Sequence, residues 1–60
     1  MEETNARIHF VRLDLNDYLD MRKYEQVDPD TIYFCILSGG GFNLFLGRHQ
    51  LFMFVEPEES

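Results

Sequence analysis

The chain has no tryptophan, one cysteine, two prolines, and five lysines and arginines against eleven acidic side chains. Each shortage excludes something. With Cys35 as the sole cysteine, no disulfide can form within the chain. A lone thiol in an apolar stretch reads as a small buried hydrophobe and fits a reducing compartment. The formal net charge of -6 sets phosphate repulsion against direct binding of DNA or RNA, while a basic partner would be steered in. No apolar run reaches the ~18 residues needed to cross a bilayer, because Gly39 to Gly41 and Gly47 to Gln50 interrupt the longest one. The opening Met1-Glu2-Glu3-Thr4-Asn5 is acidic, unlike a secretory or transit peptide. A cytoplasmic protein without membrane contact is expected.

What is present is concentrated. From Thr31 to Val55 the chain is mostly apolar, and Arg48 is the only formally charged residue there. The 60 residues allow a single domain, 1–60, with frayed acidic ends at 1–5 and 56–60. A chain of this size buries only roughly 60% of the surface its unfolded form exposes, so it needs a further stabiliser. Without a disulfide or a metal, oligomerisation is the one left.

The pattern predicts an α+β fold in the order β-α-β-β-β, one helix on a small antiparallel sheet. Ala6 to Leu13 alternates as a first strand. Asp14 is placed to cap a helix running to about Gln26, with Asn16 as the rival cap and Arg22 and Lys23 at the cation-favouring end. Asp28-Pro29-Asp30 makes a turn. Thr31 to Ser38 is a strand rich in β-branched and aromatic residues, and Gly39-Gly40-Gly41 permits the positive φ of a tight hairpin. Phe42 to Leu46 and Gln50 to Val55 complete the sheet around a turn at Gly47-Arg48-His49.

Both faces of these strands are apolar, whereas a sheet with one wet face would alternate with polar residues. Leu15, Tyr18 and Leu19 form the helix stripe that covers one face. The other is expected to expose Tyr33, Leu37, Phe45, Phe52 and Phe54, or the equivalent set if the helix takes the opposite side. A patch of that kind is rare on monomers, so a homodimer interface is expected there.

The chemistry-bearing combinations are sparse. His9, His49 and Cys35 lack paired metal-ligand spacing. Asp14-Leu15-Asn16-Asp17 starts like a calcium loop, but Tyr18 takes the next ligand position. The glycine triplet has no following lysine or helix to form a phosphate loop. Ser38 and His49 fall in turns at opposite ends of a meander. These readings point away from an enzyme and imply no cofactor.

The remaining signal is acidic. Asp17, Asp20 and Tyr24 share a helix side, Asp28 and Asp30 follow in the turn, and Tyr18 or Tyr24 would supply an aromatic anchor. Asp17 and Asp20, one turn apart, have Cβ atoms ~5–6 Å apart, on the scale of successive backbone phosphates. In size and acidity the chain is similar to small phage-encoded inhibitors of DNA-repair, restriction or defence enzymes. This similarity of composition implies a DNA mimic that occupies the site of a basic nucleic-acid-binding protein. The alternative is an adaptor or regulatory subunit docking by its apolar sheet face onto a larger protein.

Overall fold

A computed structural model describes residues 9–57. One helix lies on a four-stranded mixed sheet, in the chain order β1 His9–Asp14, α1 Leu15–Lys23, β2 Thr31–Ile36, β3 Gly41–Leu46 and β4 His49–Val55. The α+β class and the β-α-β-β-β order are as the sequence implies. The all-antiparallel sheet is corrected. The spatial order is β1-β2-β3-β4, with β1 and β2 parallel and the other two pairs antiparallel. The cause is the connection: between Asp14 and Thr31 the chain spends its length on a helix, the crossover that parallel neighbours require.

Asp14 ends β1 and caps α1. Its backbone is extended (φ -73, ψ 146), and its carboxylate accepts from the Asn16 N–H at 3.1 Å, satisfying one of the donors a helix start leaves open. Asp17 follows in the first turn, and Arg22 and Lys23 occupy the last, each on the end its charge favours. The helix closes before the expected Gln26. Glu25 adopts φ 58, its N–H donates to the Arg22 carbonyl, and the Gln26 N–H donates to that of Met21. This left-handed closure leaves no backbone for a further turn.

The core is aromatic. Tyr18 is fully buried, its ring stacked on Phe45 at 4.2 Å and tilted against Tyr33 at 5.4 Å between centroids. Among the described residues Cys35, Tyr33 and Phe45 are the other buried apolar ones, flanked by Val11, Leu13, Leu15, Met21 and Val27. The expected helix stripe is therefore corrected at one position. Leu19 is 45% exposed, and Met21 takes part in the core in its place.

Gly47 ties the layers together. Its carbonyl accepts from the Tyr18 hydroxyl at 2.7 Å, and its N–H donates to the Thr31 carbonyl at 2.9 Å. Its φ is 62, and an added Cβ would come within 2.7 Å of the Pro29 Cα, so glycine is required on two grounds. The frayed ends expected at 1–5 and at the last residues fall largely outside the described residues, although the Glu56 N–H still donates to the Gly40 carbonyl.

Removing the Tyr18 hydroxyl with Tyr18→Phe should cost about 1–2 kcal/mol, the price of an unmade buried hydrogen bond. Gly47→Ala should cost at least as much, through its left-handed backbone. Urea titrations of both single variants and the double variant should show less-than-additive losses, because the two act on one contact. Strict additivity would mean that the hydroxyl and the turn are not coupled.

Candidate functional site

Strand register decides which side chains meet. Val11, Tyr33 and Phe45 are successive partners across β1, β2 and β3, as are Leu13, Cys35 and Asn43. These two rows lie on the face that Tyr18 covers. The neighbouring rows lie on the opposite face: Phe10 beside Ile32 and Leu46, then Arg12 beside Phe34, Leu44 and Phe52, then Ile36 beside Phe42 and Phe54.

Five of the six phenylalanines thus share the face away from the helix. Phe10 lies 5.6 Å from Phe34, Phe34 5.2 Å from Phe42, and Phe42 5.8 and 5.7 Å from Phe52 and Phe54, all tilted contacts. They form a continuous aromatic track from β1 to β4. Phe10 is 62%, Phe52 52% and Phe54 43% exposed, and the central residues of β2 and β3 are half-buried by their neighbours. The Arg12 guanidinium lies 5.9 Å from the Phe34 ring centroid and sets one cation at the β1 side of the track.

The expected exposed set is corrected here. Tyr33 and Phe45 are buried beneath α1, and Leu37 is half-buried just beyond β2. Phe52 and Phe54 stand exposed, but on the other face. The reason is one residue. A regular hairpin around Gly47-Arg48 pairs Leu46 with His49 and Phe45 with Gln50, and would continue by pairing Asn43 with Phe52. Instead Leu44 pairs with Phe52, so the register shifts between Leu44 and Phe45 and Leu51 becomes an extra residue. A one-residue slip exchanges the faces of all that follows. Phe10, Phe34 and Phe42 lie on the uncovered face for a different reason, that Tyr18 brings the helix over Tyr33 and Phe45 instead of over their side of the sheet.

The acidic set divides differently. Asp17, Asp20, Asp28 and Asp30 are exposed, as is Tyr24 at 66%. The anchor role expected of Tyr18 is corrected, because its ring lies wholly inside the core and burial raises its phenol above the ordinary value. Several acids have local structural work. Asp28 Oδ1 accepts from the Asp30 N–H at 2.9 Å, while the Asp28 N–H donates to the Tyr33 hydroxyl at 3.1 Å. Lys23 lies 5.7 Å from the Tyr24 ring, placing a cation among the carboxylates.

Catalytic geometry is weak among the described residues. No three His, Cys, Asp or Glu side chains converge to hold a metal. A shallow depression of about 510 Å³ is lined by Val27, Pro29, Leu46, Arg48 and His49, without a carboxylate or thiol. Asn43 is buried with its Oδ1 lacking a hydrogen-bond partner, on the row that leads to the exposed Met53. Among the described residues no helix is long and apolar enough to cross a membrane. No protein-family model, curated protein or solved structure matches the chain.

Burial, followed by the charge of Asp14, pushes the Cys35 thiol up to about 11 from 9.0. The unfolded chain therefore releases this proton first as pH rises. The contribution to stability is fully present below pH 9 and is lost as pH rises through about 11. Alkylation at pH 8 should be on the order of 100-fold slower in the folded chain than in urea. Equal rates would place the thiol in solvent.

Proposed function

We propose that the chain is a non-catalytic binding module that docks onto a larger protein through the phenylalanine face of its sheet. The observation that supports this best is the gathering of Phe10, Phe34, Phe42, Phe52 and Phe54 on the face that α1 leaves uncovered. At ~200 Å² per ring, the exposed fractions of Phe10, Phe52 and Phe54 alone amount to roughly 300 Å². With the half-buried Ile32, Ile36, Leu44 and Leu46 between them, the patch reaches the size that marks interaction sites. Arg12 on its margin suits a carboxylate on the partner's rim, where a polar contact fixes orientation.

A second reading is phosphate mimicry towards a basic nucleic-acid-binding protein. The exposure of Asp17, Asp20, Tyr24, Asp28 and Asp30 supports it. It ranks below docking by the sheet face, because Tyr18 supplies no anchor and Asp14, Asp17 and Asp28 each serve a cap, a helix end or a turn. In the favoured reading the acidic layer faces water while the sheet is engaged.

The two readings separate under salt and substitution. A partner captured from cell extract on the tagged chain should stay bound at about 1 M salt, where exposed charge pairs are screened beyond ~3 Å. Phe10→Asp should weaken that association at least about tenfold, while Asp17→Lys combined with Asp20→Lys should leave it nearly unchanged. Elution at moderate salt, with loss in the lysine double variant and retention in Phe10→Asp, would replace sheet docking by mimicry.

A further inference from the structure

The outer edge of β4 carries a second surface, which shares Phe52 and Phe54 with the phenylalanine face. Among the described residues β4 pairs only with β3, and all seven of its residues are exposed. Leu51 to Val55 are each between 43% and 59% exposed, on both faces, because the helix does not reach over this strand. Natural edge strands are ordinarily protected by charges, proline or cover. From His49 to Val55 there is no formal charge and no proline. The opposite edge, β1, carries Arg12 and Asp14.

The hydrogen-bond ladder shows which backbone groups this edge presents. The Glu56 N–H donates to the Gly40 carbonyl at 3.3 Å, and the Leu37 N–H donates to the Gly41 carbonyl at 3.2 Å. Gly41 thus turns its groups towards β2 and leaves its partner Val55 turned away. Alternation along the regular pairing from Gly41 and Val55 to Leu44 and Phe52 then directs Phe52 and Phe54 to β3. It directs the N–H and C=O of Met53 and Val55 outward.

We propose that this edge pairs antiparallel with the β4 edge of a second copy of the chain, about a two-fold axis at Phe54. Met53 then lies opposite the partner's Val55, and Val55 opposite the partner's Met53, giving four backbone hydrogen bonds across the axis. This register uses both outward residues of the regular segment and keeps the bulged Leu51 out of the ladder. It brings no like charges together, since Glu56 falls opposite the partner's Phe52. The edge is self-complementary, as a two-fold interface requires. The result is a continuous eight-stranded sheet whose two phenylalanine tracks join on one face.

The side chains from Leu51 to Val55 expose roughly 500 Å² per copy, taking ~200 Å² for a large side chain. Two copies therefore offer about 1,000 Å², near the lower limit for a specific interface. A reversible, concentration-dependent dimer follows. The inference rests on the edge and stands apart from docking by the face.

The test combines sedimentation mass with residue-resolved hydrogen exchange on the full chain across a concentration series. The mass should double with concentration, and the Met53 and Val55 amides should slow at least tenfold in step with it. Met53→Pro removes an outward N–H that β3 does not use, and should raise the concentration for half-dimerisation at least tenfold. Should that variant misfold, Phe54→Lys and Phe54→Glu chains serve instead, each monomeric alone and dimeric when mixed. Phe10→Asp should leave the mass unchanged even where it abolishes partner docking. A chain that stays monomeric, or a dimer in which the Met53 and Val55 amides exchange freely, would overturn edge pairing.

Discussion

The structure depends on one side chain. Tyr18 is the only fully buried residue of α1, and it reaches three places at once: the Phe45 ring, the Tyr33 ring and the Gly47 carbonyl. The rest of the helix contributes little cover, since Leu19 is largely exposed and Leu15 and Met21 are half-buried. Because the contact falls on β2 and β3, the helix shields Tyr33, Cys35 and Phe45 and leaves β4 outside its reach. A two-layer protein with so short a helix can dry only one side of its sheet. The aromatic face on the other side is a direct consequence.

Much of this was visible in the residues. The cap at Asp14, the turn at Pro29, the glycine hairpin and the alternation within each strand all follow from local rules. Two things were not. The parallel pairing of β1 with β2 depends on where the crossover returns the chain, which local pattern does not encode. The bulge at Leu51 depends on competition between registers that differ by one residue, and that residue moves Phe52 and Phe54 from one face to the other. The part of the first strand expected at Ala6 to Ile8 lies outside the described residues, the second strand ends at Ile36 instead of Ser38, and β4 joins β3 with the other parity. Tyr18 shows the same limit: a tyrosine on a helix wheel serves core and surface readings equally until the sheet beneath it is placed.

The two layers divide the protein's surface by chemistry. Carboxylates occupy the helix and its following turn, several of them committed to caps and turns, while the strands carry rings and aliphatic chains almost without charge. Cys35 sits between the layers, with its thiol held protonated by burial, so it belongs to the core and offers no nucleophile at neutral pH. The recognition proposed for the uncovered sheet face requires no pocket and no catalytic group.

The claim that most of this rests on is the identity of the uncovered face. It is tested most directly by solvent paramagnetic relaxation of the aromatic ring protons, measured on dilute protein with assigned resonances. The rings of Phe10, Phe52 and Phe54 should relax strongly with added agent, while those of Tyr18, Tyr33 and Phe45 stay protected. Protection of Phe52 and Phe54 together with exposure of Tyr33 and Phe45 would contradict it and would mean that the helix covers the other side, whereas protection of all four rings would mean that the hairpin is regular.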